Sequence, residues 1–482
     1  MPTKQEEKIM LQAKMFINGV AKASDMTIDV INPATEEVFA QCHFSTENDV
    51  DKAVAAARGA FPAWSVLDDA ERKNKMMELA SLLEQNMPEL MEIVTKESGK
   101  PMGGLNGVGS GMEVGGSIAW TQATASFDLP EEVIEDTEDS HVAVHRKPLG
   151  VVGSITPWNW PLMIAIWHVI PALRMGNTVV IKPSPYTPVA TFKFVELASR
   201  VLPAGVLNMV HGDTEVGAAM SAHPDINKLV FTGSTSTGKK IMQAASGNLK
   251  RLTLELGGND AGIVLLGANI AEIAPKLFAA GFHNNGQTCA ALKRLYVHES
   301  QYDEVCNALT ELAKTVKVGN GLEDTTELGP LQNSRQRQIV KSLIESAREN
   351  GGSILSGGSE VEGPGFFYQP TIIANQSDGD RIVDEEQFGP VLPVIKYSNL
   401  DEVIARANRS ESGLGGSVWS NDLAAAAQVA SQLECGSVWI NDHGAIRPDA
   451  PFGGVKQSGF GVEFGTYGLK EFTSIQTMLI AK

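Results

Sequence analysis

The chain has 482 residues, 43% hydrophobic and 20% charged, a composition typical of a globular protein with room for about three domain-sized units. Its 39 basic residues stand against 57 acidic ones, which gives a formal net charge of −18. Binding to nucleic acid or to an anionic membrane requires clustered positive charge, so this balance argues against both partners.

The chain contains four well-separated cysteines, Cys42, Cys289, Cys306 and Cys435. Without a CxxC pair or a Cys/His cluster they fit neither a disulfide framework nor a zinc site, so we expect no metal and a reducing compartment, the cytoplasm. The N-terminus lacks an apolar targeting core, and the longest apolar stretch, about residues 160–173, is interrupted by His168 and Pro171. We therefore expect no membrane segment.

The first part of the chain is predicted to be helical. Over residues 45–99, apolar side chains recur at three- and four-residue spacing, which is typical of amphipathic helices. After a glycine-rich stretch at 103–116, the sequence DSHVAVHRKPLGVVGSI alternates in polarity and then becomes continuously apolar. This pattern predicts a strand pair that leads into a buried strand.

The middle of the chain alternates between strand-like and helix-like segments, with strands such as NTVVIK and KLVFTGS and a helix that begins near Thr235. This order predicts a mostly parallel sheet covered by helices. A second series follows Glu255, with strands near AGIVLL, LKRLYVHES and GGSVWS. The predicted fold class is therefore α/β, with two units and a tight boundary near residue 255.

Two segments have the character of a phosphate-binding edge. In FTGSTSTGKK, Gly233 and Gly238 flank a turn between an apolar strand and a helix, where backbone amides can face a phosphate. The spacing differs from GxGxxG, and an ordinary turn explains it equally well. Lys182 ends the strand NTVVIK, which places a basic residue at the carboxyl edge of a parallel sheet, where ligands bind.

Cys289 and Glu255 are the candidate reactive residues. Cys289 lies in the polar turn FHNNGQTCAAL, whereas Cys306 lies in an apolar helical pattern typical of packing. Glu255 ends the alternating strand RLTLE before two glycines, where burial can raise its pKa towards that of a useful base. Cys289 can instead be a packed, unreactive thiol, and Glu255 can instead be an acidic residue at a solvated strand end.

Six motifs occur together in this chain, namely TPWNWP at 156–161, FTGSTSTG at 231–238, ELGG at 255–258, NNGQTC at 284–289, EEQFGPV at 385–391 and PFGGVKQSGFG at 451–461. In this order and spacing the chain resembles the aldehyde dehydrogenase superfamily, from about Phe16 to the C-terminal strand. Each motif alone is weak, whereas the six together are specific.

The resemblance implies hydrolytic oxidation of an aldehyde through a covalent intermediate. Cys289 matches the nucleophile that forms a thiohemiacetal, and Asn159 matches the amide that stabilises its oxyanion with the Cys289 N–H. Glu255 matches the base that activates water against the resulting thioester, and CoA-acylating relatives commonly lack a carboxylate there. Glu463, in FGVEFG, resembles a carboxylate that relays protons from this base; an exposed helical glutamate is the alternative.

The resemblance also implies an NAD or NADP site. In it Lys182 matches a ligand of the adenosine ribose, Ser234 a residue near the pyrophosphate, and Glu386 and Phe388 the residues that hold the nicotinamide half. The remaining expected cofactor residues are Thr156, Pro157, Trp158, Ser184, Pro185, Gly233 and Gly257. Pro185 stands where strongly NAD-preferring members often have a glutamate that repels a 2′-phosphate, so the choice between NAD and NADP stays open.

The expected substrate residues are Trp160, Met163, Trp167, Thr288, Ala290 and Ile446. Because they are largely apolar, they favour an uncharged aliphatic or aromatic aldehyde over a semialdehyde that carries a carboxylate. Arg447 weakens this preference, because its side chain can turn inward. The two tryptophans can equally be core residues, and Asn259, where many relatives have lysine, has no assigned effect.

The family fold implies a Rossmann-type dinucleotide-binding domain at 1–126 and 146–254, an α/β catalytic domain at 255–450 with 451–466 returning to the cofactor domain, and a small β oligomerisation extension at 127–145 and 467–482. The extension predicts a homodimer or a homotetramer. The alternatives are a semialdehyde-specific or CoA-acylating relative and, in a different class, a catalytically idle crystallin-like structural protein, which is expected to lose residues such as Cys289 or Glu255.

Overall fold

The computed structural model describes residues 10–482, so the first nine residues, on which the expectation about targeting partly rests, lie outside it. The strands are β1 Leu11–Ala13, β2 Met15–Ile17, β3 Val20–Lys22, β4 Thr27–Ile31, β5 Val38–His43, β6 Glu132–Asp136, β7 Ser140–Pro148, β8 Val151–Ile155, β9 Thr178–Lys182, β10 Leu207–Met209, β11 Lys228–Thr232, β12 Arg251–Glu255, β13 Asp260–Val264, β14 Leu292–His298, β15 Ser353–Ser356, β16 Thr371–Ala374, β17 Val391–Tyr397, β18 Ser412–Gly413, β19 Gly415–Trp419, β20 Ser437–Ile440, β21 Val455–Lys456, β22 Gly459–Phe460 and β23 Thr473–Ala481.

The helices are α1 Glu47–Ser65, α2 Asp69–Gln85, α3 Met87–Ser98, α4 Ser110–Ser126, α5 Pro161–Arg174, α6 Val189–Ala198, α7 Thr214–Ala222, α8 Thr235–Ala245, α9 Ile270–Phe282, α10 Tyr302–Thr315, α11 Ser334–Glu349, α12 Arg381–Asp384, α13 Leu400–Asn408, α14 Leu423–Ala430 and α15 Gly465–Glu471. Two short 3₁₀ turns are Leu105–Gly107 and His283–Gly286. Among residues 10–482, no helix is both long and apolar enough to cross a bilayer.

The helical opening segment comprises α1, α2 and α3. A capping box starts α1, in which the Thr46 side chain accepts from the Asp49 N–H and the Asp49 carboxylate accepts from the Thr46 N–H. Gly99, with φ +79°, ends α3 in the left-handed conformation that favours glycine. Helices α2 and α3 pack their apolar faces into one core beside the first sheet, whereas most of the apolar face of α1 packs into a second core.

The first large sheet has eight strands in the order β22-β12-β11-β8-β9-β10-β2-β3. Its five central strands, β12 to β10, run parallel, and the strands at both edges are antiparallel. Helices cover both faces, so the central strands are apolar along most of their length, as the continuous apolar runs of the sequence predict.

The second sheet has seven strands in the order β15-β16-β17-β14-β13-β19-β20, and all but β15 run parallel. The chain passes from the first sheet to the second within five residues, because β12 ends at Glu255 and β13 begins at Asp260. Near the C-terminus the chain returns, and β22 pairs antiparallel with β12. The candidate site lies at this junction.

A separate three-stranded antiparallel sheet has the order β23-β7-β6. Strand β7 runs to Pro148, three residues past the expected end of the extension, and pairs along its whole length with β23. Several apolar side chains of this sheet are exposed, among them Ile475 and Leu479. The expected domain limits and the oligomerising role of this sheet stay predictions.

Candidate active site

A left-handed turn places Cys289 between α9 and β14. Asn284, Asn285 and Gly286 have φ values of 49°, 58° and 71°, so three consecutive residues adopt a conformation that asparagine and glycine tolerate best. An alanine Cβ at position 286 would stand 2.1 Å from the carbonyl oxygen of Gly389. The chain therefore needs glycine where the NNGQTC turn meets the EEQFGPV loop.

Side chains hold this turn in place. The Asn159 amide donates to the Gln287 carbonyl at 2.9 Å, and the Asn284 amide donates to the Asn159 carbonyl at 3.1 Å. The buried ammonium of Lys293 donates to the Gly286 carbonyl. Asn159 and Cys289 line the same cleft, so the amide expected to stabilise an oxyanion is fixed against the turn that carries the thiol.

The surroundings of Cys289 favour its neutral thiol. Burial raises the pKa of the Cys289 thiol, and the nearby charges of Glu255 and Glu386 raise it further, while the Ala290 backbone opposes the shift. A thiol in such surroundings needs a base to remove its proton before it can act as a nucleophile.

Glu255 and Glu463 are both buried, with only 4% and 6% of their surface exposed. Neither Glu255 oxygen has a hydrogen-bond partner within residues 10–482. Burial raises the pKa of Glu255 well above its ordinary value, and the charge of Glu463 raises it further. A carboxyl group that has a raised pKa and no hydrogen-bond partner is suited to accept a proton from water.

A cleft of about 250 Å³ opens beside Cys289. Eight of the expected site residues line it: Pro157, Trp158, Asn159, Gly233, Ser234, Cys289, Glu386 and Phe388. The rings of Trp158 and Phe388 meet edge to face at 5.3 Å. Ser234 caps α8, so the first turn of this helix lies at the cleft wall, which suits a phosphate or pyrophosphate.

Lys182, Ser184 and Pro185 lie outside this cleft wall, at the carboxyl end of β9. Lys182 is buried and donates to the Pro183 carbonyl at 3.3 Å. Burial lowers the pKa of Lys182 to about 8, while Asp213 opposes the shift. Thr156 follows the neighbouring strand β8 and is hydrogen-bonded through its N–H to the Lys182 carbonyl. These residues form a continuation of the same sheet edge.

Glu386 is held by groups on both sides. The Gly258 N–H donates to its carboxylate at 3.3 Å, and a Cβ at Gly257 would stand 2.4 Å from that carboxylate. Burial raises the pKa of Glu386 to about 7, while the charge of Lys293 and the Gly258 N–H oppose the shift. Gly257 thus acts by leaving room for a carboxylate that faces the cleft.

Asn259 also supports the Glu386 loop. Its side-chain amide donates to the carbonyls of Val383 and Asp384 at 2.8 and 3.2 Å, just ahead of Glu386. The sequence offered no role for Asn259, and none for Lys293. The Asn259 amide acts on a segment far away in the chain, whereas the Lys293 ammonium bonds to the Gly286 carbonyl nearby in the sequence, and no motif marks either contact.

An aromatic cluster packs against Cys289. The ring centroids of Trp167 and Phe464 lie 4.8 Å apart, and that of Trp120 lies 5.8 and 5.7 Å from them. The same apolar cluster also contains Cys289, Ala290, Ile446, Trp439 and Phe452. Phe464 has φ 70° and ψ 160°, a region that is nearly restricted to glycine.

The aromatic cluster differs in part from the expected substrate residues. Trp167, Ala290 and Ile446 belong to it, whereas Trp120, Trp439, Phe452 and Phe464 were not predicted. Phe452 and Phe464 lie in the segments PFGGVKQSGFG and FGVEFG, but their spacing there does not distinguish them from ordinary core residues, and Trp120 and Trp439 lie in no motif. The four side chains come together only because separate segments of the chain meet beside the thiol.

Trp160 and Met163 belong to a small buried cluster with Ile164 that contacts Trp167. The Trp160 indole donates to the Thr288 hydroxyl at 3.2 Å, and its ring lies 3.4 Å under the ammonium of Lys100. These contacts make Trp160 a support for the Cys289 turn. Arg447 is 71% exposed and forms an ion pair with Asp449 at 2.7 Å, so it does not turn inward.

Comparison with known proteins places this geometry in a family. The model of the aldehyde dehydrogenase family matches residues 20–478. Phenylacetaldehyde dehydrogenase of Pseudomonas fluorescens is 40% identical, with 98% of this chain and 97% of the relative covered. Betaine aldehyde dehydrogenase of Bacillus subtilis is 39% identical, with 96% of each chain covered.

Solved structures agree with this comparison. An aldehyde dehydrogenase from Bacillus cereus, solved as its NAD⁺ complex, superposes with a TM-score of 0.94 at 38% identity, covering 97% of this chain and 96% of its own. The chain belongs to the aldehyde dehydrogenase family. It is an oxidoreductase that acts on aldehydes, with the α/β fold of that family.

Proposed function

We propose that the protein converts an aldehyde to a carboxylic acid, with Cys289 as nucleophile, Asn159 as oxyanion donor and Glu255 as base. The observation that carries this assignment is the position of the three residues around one cleft. Asn159 and Cys289 line the cleft, and Glu255 directly precedes Leu256 of the cleft wall. The charge of Glu255 contributes to the raised pKa of the Cys289 thiol. Loss of any of the three is expected in an idle structural relative, and all three are present.

The order of steps follows from these positions. Cys289, deprotonated by a base, attacks the aldehyde carbon, and the Asn159 amide with the Cys289 N–H stabilises the oxyanion, each such donor contributing ~10²–10³ in rate. Hydride leaves as the oxyanion collapses to a thioester. Glu255 then takes a proton from water, which attacks the thioester, releases the acid and returns Cys289. Hydrolysis by a carboxylate base disfavours the CoA-acylating alternative.

The hydride acceptor is a nicotinamide dinucleotide, NAD or NADP, which supplies an oxidising carbon beside Cys289 when bound. The residues fit such a group, because the first turn of α8 can receive its pyrophosphate and the buried Glu386 carboxylate can accept from a ribose hydroxyl. Lys182 and Ser184 are assigned to the adenosine ribose. Pro185 leaves no carboxylate there to exclude a 2′-phosphate.

The substrate is proposed to be an uncharged aliphatic or aromatic aldehyde. The cluster beside Cys289 is formed by aromatic and aliphatic side chains, including Trp120, Trp167 and Phe464. Arg447, the cation expected to recognise a carboxylate-bearing semialdehyde, instead pairs with Asp449 at the surface. The enzyme is further proposed to be cytoplasmic and to assemble as a homodimer or homotetramer through the sheet β23-β7-β6.

The test is an absorbance assay of reduced nicotinamide with a panel of aldehydes, each with NAD and with NADP. Cys289→Ala is expected to abolish turnover while dinucleotide binding is retained, because only the nucleophile is lost. Cys435→Ala, another half-buried cysteine, is the matched control and is expected to keep full activity. Turnover by Cys289→Ala would contradict the nucleophile assignment.

A further inference from the structure

Lys100 and Glu113 form an ion pair whose two side chains are completely buried. Lys100 follows α3 and Glu113 lies in the first turn of α4, and the Lys100 ammonium donates to the Glu113 carboxylate. Replacement of a buried ion pair by well-packed apolar side chains is often neutral or stabilising, because the desolvation of two charges opposes their attraction. Stability alone therefore does not explain why this pair is buried here.

The Lys100 ammonium has two further partners in the loop that precedes α5. It donates to the Asn159 carbonyl at 3.0 Å, and it lies 3.4 Å from the ring centroid of Trp160, the next residue. A cation at this distance is attracted by the face of an indole ring. Lys100 thus holds the residues on both sides of one peptide bond.

The Glu113 carboxylate holds the other end of the same segment. Its Oε1 accepts from the N–H groups of Leu162 and Met163 at 3.0 and 3.3 Å. These groups belong to the first turn of α5, where N–H groups have no partner within the helix, and the N-cap residue Trp160 provides no side-chain cap. A carboxylate is also favoured at the positive end of the helix dipole. Glu113 therefore caps α5 from a neighbouring helix.

Asn159 lies between these two anchors, in a loop without regular secondary structure. Its backbone is held by Lys100, and its side-chain amide donates to the Gln287 carbonyl and lines the cleft beside Cys289. An oxyanion donor is effective only when it is aimed at the place where the charge develops. A shift of ~1 Å in such a group can reduce the rate by about 10²-fold.

We propose that the buried pair Lys100–Glu113 positions the Asn159 amide for the oxyanion that forms when Cys289 attacks the aldehyde. The proposal rests on the proposed function of Asn159. Lys100 and Glu113 are positioning residues, since they act through the backbone of residues 159–163. Both keep their charges throughout the reaction, and neither exchanges a proton with the substrate.

The first experiment removes both charges together in Lys100→Met/Glu113→Gln, so that no unpaired charge is left in the core. The glutamine side-chain oxygen can still accept from the first turn of α5. The rate of hydride formation is expected to fall by about 10²-fold, because the Asn159 amide is no longer held in place. Stopped-flow absorbance of reduced nicotinamide in single turnovers measures this rate. The Kd of the dinucleotide, measured by fluorescence titration, is expected to stay unchanged.

The second experiment is a double-mutant cycle with Asn159→Ala. If the ion pair acts through the Asn159 amide, its removal from a protein that already lacks the amide is expected to change the rate by no more than about twofold. A purely structural role predicts the same fold-loss in both backgrounds. Single turnovers are followed for hours, so that the slow rates of the combined variants are measured.

A second buried lysine provides the matched control. Lys228 pairs with Glu471 at 3.5 Å and lies 5.2 Å from the ring centroid of Phe472. It begins β11, whereas Thr232, at the other end of this strand, lines the cleft. Lys228→Met/Glu471→Gln is expected to lower the Tm, as loss of a buried pair does, and to keep the rate of hydride formation.

An unchanged rate of hydride formation in folded Lys100→Met/Glu113→Gln would overturn the proposal. So would an equal loss in the Lys228 control, or a loss that multiplies with that of Asn159→Ala. Glu113→Gln alone is taken through the same cycle if the paired variant does not fold, and it is judged by the same outcomes. Failure of the proposed function gives a different result, because Asn159→Ala would then itself keep the rate of the unsubstituted protein.

Discussion

At the scale of single residues, the surroundings of Glu255 suit the role of base that is proposed for it. Burial is the larger cause of the raised pKa of Glu255, and the charge of Glu463 adds to it. Because a base must be ionised, hydrolysis is expected to slow as the pH falls through this raised pKa. The acidic limit of activity is therefore set above the ordinary titration range of a glutamate.

Glu463→Gln is expected to move this acidic limit to lower pH. Removal of the negative charge lowers the pKa of Glu255, so its carboxylate form persists at lower pH. The absolute rate is expected to fall if Glu463 relays protons as the family resemblance implies. The measurement is the rate of thioester hydrolysis in single turnovers as a function of pH; a limit that stays in place or moves upward would show that Glu463 does not act on Glu255.

A second prediction at this scale concerns Pro185 and the preference between NAD and NADP. Pro185→Glu is expected to reduce kcat/KM with NADP relative to NAD by about tenfold or more, because a carboxylate at the end of β9 repels a 2′-phosphate; tenfold corresponds to about 1.4 kcal/mol. Pro185→Gln, which adds similar bulk without charge, is the control. Equal ratios in both variants would place the ribose elsewhere.

Sequence motifs locate the reactive residues but not the side chains that hold them. Cys289, Glu255 and Asn159 were assigned from three separated motifs; the structure places Asn159 and Cys289 on one cleft and Glu255 next to Leu256 of its wall. Asn259 escaped prediction because its amide bonds to a carbonyl 124 residues away, and such a contact leaves no periodic trace in a sequence. Lys293 bonds to Gly286 only seven residues earlier, but this contact depends on the left-handed turn between them, which no periodicity reveals.

At the scale of elements, the junction of two loops is the most sensitive part of the site. Gly286→Ala is expected to cause a large loss of activity and a lower Tm, because the added Cβ meets the Gly389 carbonyl in a left-handed residue. Gly351→Ala provides the control, since Gly351 is also left-handed, with φ +83°, but has nothing within 4 Å.

Backbone strain alone is expected to cost the control variant about 1 kcal/mol. Activity assays and thermal unfolding compare the two variants. Similar losses in both would mean that strain, and not the contact between the loops, governs position 286.

Long elements were predicted more fully than short ones. The periodicity of residues 45–99 predicted the helices α1 to α3, and the apolar runs predicted the parallel strands. Two-residue strands such as Ser412–Gly413 and Val455–Lys456 have no pattern of their own. They exist because separate parts of the chain are brought side by side.

At the scale of the whole molecule, the sheet β23-β7-β6 has an unusual surface for a protein in water. Ile475, Leu479 and Ile480 of β23 are 63%, 67% and 48% exposed, and Ile134 of β6 is also exposed. Exposed apolar side chains on an accessible strand favour association with a further chain. The fully paired register with β7 makes β23 a firm platform for such a contact.

Leu479→Asp is expected to weaken the oligomer, because a charge must then be buried at the proposed interface. Light scattering coupled to size-exclusion chromatography measures the mass. Leu423→Asp is the control, since Leu423 is 63% exposed but begins α14, where an acidic residue is well tolerated. An unchanged mass in Leu479→Asp would show that assembly uses another surface.

The strained backbone of Phe464 limits how this position can be changed in directed evolution. Relief of such strain gains about 1–3 kcal/mol, whereas removal of a packed phenylalanine costs about 3–5 kcal/mol. Glycine at this position would therefore be less stable, although it is the residue that the backbone prefers. Because the ring also packs in the aromatic cluster beside Cys289, substitutions that remove it to enlarge this region are expected to lower the thermal stability of the protein.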